Sequence, residues 1–184
     1  LPVLVDKLSN GNSRDIAEAI LTTDLTIKRS LIETEIEGRR IKILGIAKGS
    51  GMIYPNMATM LSFLVCDVGI EKNIWDSMIK EAAQISFNAI SVDGDMSTND
   101  SLIALNGGNK IDPQYFPIIK EGINIVCQRL AKAIARDGEG ANCLIEVKVD
   151  GAKNDFDALK IARKITSSSL VKTAIHGCDP NWGR

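Results

Sequence analysis

The sequence predicts an α/β domain in which helices pack on a mixed β-sheet. Three observations carry that expectation. Stretches of helical periodicity alternate with short strand-like runs along the 184 residues. Turn formers mark the changes of period, at Gly38-Arg39, Asn106-Gly-Gly-Asn109 and Asp137-Gly-Glu-Gly140. No internal repeat, low-complexity tract or linker divides the chain, so a single domain over residues 1–184, long enough for a substantial core, is expected.

Each element has a local reason. Asn12-Ser13 can cap a short helix over residues 14–21, ended by Thr22-Thr23-Asp24, whose side chains bond to nearby backbone. Residues 30–37 and 40–47 flank Gly38-Arg39 and read as a β-hairpin whose second arm runs directly into Lys48. The apolar run after Thr59, as far as Asp67, lacks alternation, as expected of a strand buried on both faces. Residues 71–89 form a helical pattern, with Ile74, Met78, Ala82, Ile85 and Ala89 on one stripe. A polar loop over residues 91–100 precedes a short strand at 101–105. Asp112-Pro113 opens a second long helix, from Gln114 to about Arg136. Residues 141–150 alternate well and predict a strand. Asn154 or Asp155 caps a third helix reaching about His176, with Gly177 suited to the position just past its end.

Composition removes several function classes. Apolar residues make up 45% and charged residues 24%, ordinary for a globular domain. A net charge of −1 and an aromatic content of 4% give no basic stripe and no stacking surface, so neither nucleic acid nor a membrane surface is expected as partner. No apolar run reaches the roughly 20 residues of a membrane span, and no basic start leads into an apolar run, so no signal peptide is expected. Cys66, Cys127, Cys143 and Cys178 contain no CxxC pair, and three lie in apolar surroundings, which predicts reduced core thiols and a cytoplasmic location. The single histidine, His176, has no Cys or His beside it; no metal site is expected and His176 reads as structural. The chain opens on Leu1-Pro-Val without methionine and closes on Asn-Trp-Gly-Arg184, which suggests a piece of a longer polypeptide.

The chemistry concentrates in Lys48-Gly-Ser-Gly-Met-Ile-Tyr-Pro-Asn-Met-Ala-Thr59. A small hydroxyl residue behind a Gly/Pro loop, at the mouth of a buried strand, is where a nucleophile can be held rigidly. A loop threonine also caps or turns, and that reading needs nothing more. As a nucleophile Thr59 needs a base, and the only histidine stands in a late helix. Cutting the Ala58–Thr59 bond would supply one, because an α-amine titrates near 7.7–8.0 when unperturbed. The 93–100 loop and Glu139, between two glycines, are the other polar clusters at element ends.

These residues resemble a known family. Lys48-Gly-Ser-Gly-Met-Ile53 with Pro55-Asn-Met-Ala-Thr-Met-Leu61 is similar to the autocleavage signature of the glutamate N-acetyltransferase / ornithine acetyltransferase family of arginine biosynthesis. Ser91-Val-Asp-Gly-Asp95 with Ser97-Thr-Asn-Asp100, Asp137-Gly-Glu-Gly-Ala141 and Asp179-Pro-Asn-Trp-Gly-Arg184 also resemble that family's motifs, in the family's order and over nearly the whole chain.

The resemblance implies a layered α/β sandwich and a precursor that cuts itself between Ala58 and Thr59. Residues 1–58 would then be the C-terminal part of an α chain and residues 59–184 the N-terminal part of a β chain, assembling further into a heterotetramer. Thr59 would take the acetyl group from N-acetylornithine, releasing ornithine, and pass it to glutamate. No cofactor is implied, although some members accept acetyl-CoA as donor. Lys48 matches the family's active-site lysine, Glu139 its acidic residue for the substrate's charged amino end, and Thr23 a substrate-contacting threonine. The bland alternatives are a solvated loop lysine, a helix-end carboxylate and a capping threonine. The 93–100 loop reads as structural by its turn chemistry, and Asn181-Trp182-Gly183 is given no catalytic role. The family's oxyanion-hole Thr-Gly pair would precede residue 1, and its last substrate-binding Asn and hydroxyl residue would follow Arg184. The alternative enzyme is an N-terminal-nucleophile amidase or aminopeptidase, in which water takes the acyl group.

Overall fold

The computed structural model describes residues 13–54, 60–95, 97 and 99–180. The expectations placed on residues 1–12, on Ala58 and Thr59, and on Asn181-Trp182-Gly183 lie outside those residues.

After a short helix α1 (Ser13–Ala19), the chain builds the hairpin of β1 (Lys28–Ile36) and β2 (Arg39–Lys48), paired from Lys28↔Ala47 to Ile36↔Arg39. Its turn is Glu37-Gly38, one position earlier than Gly38-Arg39, with φ of 53° and 73°. Two consecutive positive φ values match the right-handed twist of the flanking strands, and glycine takes that conformation without steric cost. β3 (Leu61–Cys66) pairs antiparallel with β2, and β4 (Ser101–Asn106) pairs parallel with β3. The sheet is therefore mixed, in the order β1-β2-β3-β4. The parallel crossover runs through α2 (Lys72–Gln84), as a βαβ connection requires.

The long helix α3 (Phe116–Arg136) packs on β1, β2 and α2. Its stripe of Ile119, Ile123, Val126, Leu130 and Ile134 is at most 1% exposed. Burying each such side chain contributes about 1.5–3 kcal/mol relative to leaving it in water. Two glycines bring helix and strand together. A β-carbon at Gly45 would stand 2.5 Å from Val126 Cγ1, and one at Gly122 would stand 2.6 Å from Ile43 Cδ1.

Several expectations are corrected. The α2 pattern stops at Gln84, short of Ala89; Ser86 Oγ donates to Ala82 O, and a separate 3-10 turn follows at Phe87–Ala89. β3 is not buried on both faces: Val65 is 44% exposed, as are Ile103 at 44% and Leu105 at 59% on β4. Among the described residues the long helices cover only the opposite face. α3 begins two residues after Gln114, behind a 3-10 turn at Pro113–Tyr115 that Asp112 caps through Gln114 N. Residues 141–150 form no strand: the described sheet is β1-β2-β3-β4, and no described strand takes their backbone hydrogen bonds. The third helix is two: α4 (Asp155–Thr166), capped by Asn154, and α5 (Ser169–His176), capped by Ser168. Ser167-Ser168 breaks the pattern because serine side chains compete for nearby backbone, Ser167 Oγ donating to Arg163 O. Gly177 keeps a negative φ, and Cys178 takes the left-handed conformation instead. Only Cys66 and Cys127 are buried; Cys143 and Cys178 are exposed, and all four are free.

Candidate functional site

β2 delivers Lys48 to a bend whose next residues face inward. Gly49 has a φ of 149°, and its N–H donates to Asp24 Oδ1 at 2.6 Å. Ser50 is buried; its hydroxyl lies 2.7 Å from Thr23 Oγ1, and its carbonyl accepts Glu139 N–H at 2.8 Å. Gly51 lies against the Glu139 carboxylate. Asp93 then holds the next turn, accepting Met52 N–H at 2.6 Å and Ile53 N–H at 3.0 Å, and Val92 N–H donates to Ile53 O at 2.7 Å.

Four separate parts of the chain therefore meet. A cavity of about 300 Å³ is lined by Thr22, Thr23, Lys48, Gly49, Ser50, Gly51, Met52, Asp93 and Glu139. All three substrate-binding residues expected within the described chain, Thr23, Lys48 and Glu139, stand in it. Lys48 Nζ donates to Thr22 Oγ1 at 3.4 Å. One ammonium, two carboxylates and two threonine hydroxyls around a cleft of this size suit a small solute bearing both charges. A larger cavity of about 920 Å³ lies among α3, α4, α5 and residues 140–147. Glu139 touches its edge too, but Lys48 and Thr23 do not, so the smaller cleft is the candidate site.

Beneath the cleft lies a cluster that sequence reasoning missed. Lys28 Nζ bridges Asp24 Oδ1 at 2.6 Å and Asp137 Oδ2 at 2.5 Å, with the Lys28 and Asp24 side chains fully buried and Asp137 nearly so. Asp137 Oδ2 also accepts Leu25 N–H at 3.0 Å and Thr26 N–H at 3.2 Å. Burial alone would raise both carboxyls. For Asp24 the Gly49 amide and Lys28, and for Asp137 Lys28 and the Thr26 amide, outweigh it and hold each below the ordinary carboxylate value. In the sequence Asp24 reads as part of the end of the first helix and Lys28 falls before the expected first strand, and nothing local ties them to Asp137.

The expected nucleophile, Thr59, and the expected cleavage site, Ala58–Thr59, are outside the described residues, but the residue bonded to Thr59 is fixed. Met60 N–H donates to Asp100 Oδ1 at 2.7 Å, and Met60 O accepts Ser101 N–H at 3.1 Å. Asp100 Oδ2 is buried and takes no hydrogen bond, and burial raises its carboxyl. Through Asp93 and Asp100 the 93–100 loop thus holds Met52, Ile53 and Met60 by their backbone N–H groups, more than its turn chemistry foretold. Among the described residues no group of three His, Cys, Asp or Glu side chains could hold a metal. His176 is exposed in the last turn of α5 and stands apart from the cleft.

A mixed sheet with helices on it, and a cleft carrying both charges at the end of its second strand, defines an α/β protein. Comparison narrows this. The model of the ArgJ family matches residues 1–184, and the chain belongs to that family. An arginine biosynthesis bifunctional protein ArgJ from Prochlorococcus marinus subsp. pastoris is 65% identical over 184 residues, covering 100% of this chain and 46% of the relative. Another, from Dehalococcoides mccartyi, is 52% identical over 183 residues, covering 96% of this chain and 45% of the relative. The crystal structure of the arginine biosynthesis bifunctional protein ArgJ from Bacillus halodurans superposes with a TM-score of 0.59 at 39% identity, covering 66% of this chain and 60% of that one. The chain spans a little under half the length of the curated relatives it matches.

Proposed function

We propose that the whole protein moves an acetyl group from N-acetylornithine to glutamate through an acetyl ester on Thr59. The observation that carries this reading is the convergence of Thr23, Lys48 and Glu139 on one cleft at the bend that leads to Thr59. The names of the relatives, arginine biosynthesis bifunctional proteins, support the pathway and a second activity. That second activity is acetylation of glutamate from acetyl-CoA, used as a substrate and not as a resident cofactor.

Maturation comes first. The Thr59 hydroxyl attacks the Ala58 carbonyl carbon, the peptide C–N bond breaks, and the acyl group shifts from nitrogen to oxygen. Water then cleaves the ester, leaving a carboxylate on Ala58 and a free amine on Thr59. That amine is the base for transfer, since it titrates near neutral pH.

In transfer, the amine takes the hydroxyl proton as Thr59 Oγ1 attacks the acetyl carbon of N-acetylornithine. The amide C–N bond breaks and the proton leaves on the ornithine nitrogen. The α-amine of glutamate then attacks the ester, and Thr59 recovers its hydroxyl proton. The covalent ester divides one difficult amide exchange into two easier acyl transfers. Lys48 pairs with the substrate carboxylate, Glu139 with the charged amino end of the ornithine side chain, and the Thr23 hydroxyl with the substrate backbone. The α and β chains stay together and assemble as a heterotetramer in the cytoplasm. No helix of the described residues is long and apolar enough to cross a membrane.

The test uses full-length protein with N-acetylornithine, with and without glutamate, following ornithine release. Release that requires glutamate and yields N-acetylglutamate supports transfer. Release at the same rate without glutamate overturns it in favour of an amidase.

A further inference from the structure

Among the described residues, little apolar burial holds the loop carrying Thr22 and Thr23. Thr22, Thr23 and Thr26 are exposed, and Leu25 is 86% exposed. Glu139 and Gly140 are also exposed. Yet both segments, with the Gly49–Gly51 bend between them, must keep their relative positions for the cleft to exist. The contacts that span them are polar. Asp24 accepts from Gly49 N–H and from Lys28, Asp137 accepts from Leu25 and Thr26 N–H and from Lys28, and Lys28 joins the two carboxylates. Lys28 Nζ also donates to Thr26 O at 3.3 Å. On the sheet Lys28 faces Ala47, the residue before Lys48, so the ammonium is anchored at the strand end that carries the site lysine.

An ion cluster buried this deeply is a poor stabiliser compared with an apolar core, because taking three charges out of water is costly. Its value lies in direction: each charge-assisted bond fixes one segment relative to the next. We propose that Lys28 is the positioning residue of the cleft, its buried ammonium locking the Thr22–Thr23 loop, the Gly49–Gly51 bend and the segment carrying Glu139 into one register. Lys28 does not line the cavity. It acts through Asp24 and Asp137. The kinetic part of the test rests on the acetyl-transfer reading above; the exchange part does not.

The test compares full-length wild type with Lys28→Arg, Lys28→Met and Asp137→Asn, the last keeping an acceptor oxygen should Lys28→Met fail to fold. Amide hydrogen exchange is read first. In Lys28→Met, or in Asp137→Asn if it is the soluble variant, protection at Leu25, Thr26, Gly49 and Glu139 falls together by about tenfold or more while the β2–β3 ladder keeps its protection. In kinetics, well below the melting temperature, the same variant loses about 10–100-fold in kcat/KM for N-acetylornithine, with most of the loss in KM, and Lys28→Arg recovers much of it. A lowered melting temperature with wild-type KM and uniform exchange would overturn the proposal, leaving the cluster as fold support only. If wild type itself transfers no acetyl group, the functional reading fails, and the four-amide exchange pattern still decides the role of Lys28.

Discussion

Gly51 and Glu139 lie face to face: a β-carbon on Gly51 would stand 2.9 Å from both Cδ and Oε1 of Glu139. The glycine has no left-handed backbone to maintain, so its value is the space it leaves for the carboxylate. An alanine there meets the far end of a mobile side chain, and Glu139 swings aside at little cost. Gly51→Ala should therefore lower the melting temperature of the full-length protein by a few degrees at most. Its KM for the amine-bearing substrate should rise about tenfold, as expected when a group is misplaced by roughly 1 Å. Glu139→Gln should show the same KM defect while still cleaving itself. Thermal melts and steady-state kinetics on the two variants check the pair.

Asp93 is the second support of the bend. Both its oxygens accept backbone N–H groups, Oδ2 from Met52 and Oδ1 from Ile53, and Oδ1 also accepts Asp95 N–H at 3.1 Å. Met52 sits at a φ of 52°, a conformation that a non-glycine residue keeps only when its surroundings impose it. Asp93→Ala removes those acceptors and should cost about 1–3 kcal/mol locally, by the usual penalty for hydrogen bonds to a charged group. Faster amide exchange at Met52 and Ile53, together with slower self-cleavage of the precursor, is the expected result.

Much of the fold was legible in the sequence, for local reasons. The hairpin followed from alternation and a glycine turn, and α3 from its Asp112-Pro113 start, both encoded within a few residues. What escaped depended on distant partners. Residues 141–150 carry a strand pattern, but a ladder requires a neighbour that no pattern within the segment supplies. Burial of β3 depends on what covers each face of the sheet. In the site, Lys48, Thr23 and Glu139 were singled out through the family resemblance, and the structure brings them to one cleft. Lys28 was not singled out, because its partner Asp137 is 109 positions away and a lysine ahead of an expected strand ordinarily points to solvent.

The lowered carboxyls of Asp24 and Asp137 predict how acid acts on the cleft. A carboxylate held below its unfolded value, about 3.9 for aspartate, contributes stability that is present above that value. The contribution is lost as pH falls through the folded value. Asp137→Asn removes that charge at every pH while keeping an acceptor. The wild-type advantage in melting temperature over Asp137→Asn should thus be full near pH 6 and shrink as the pH drops below about 4. Paired melts between about pH 3 and pH 7 read it directly. A gap that stays constant with pH would mean that the charge of Asp137 is not what Lys28 holds.

The strongest prediction concerns the bond before Thr59. If the Thr59 hydroxyl is the attacking group in maturation, the oxygen is required and the side-chain methyl is not. Thr59→Ala should remain one polypeptide, while Thr59→Ser should still cleave, more slowly, since the β-branch that restricts the hydroxyl's rotamer is gone. Within residues 1–184 the cut separates 58 residues from 126, so intact-mass measurement assigns it to a single bond. Asp100 offers a control. It fixes Met60 N–H on the far side of Thr59, and Asp100→Asn keeps an oxygen for that bond. That variant should mature, whereas Asp100→Ala should mature slowly because the backbone beside the nucleophile loses its anchor. Cleavage of Thr59→Ala at the same bond would show that the hydroxyl is not the attacking group.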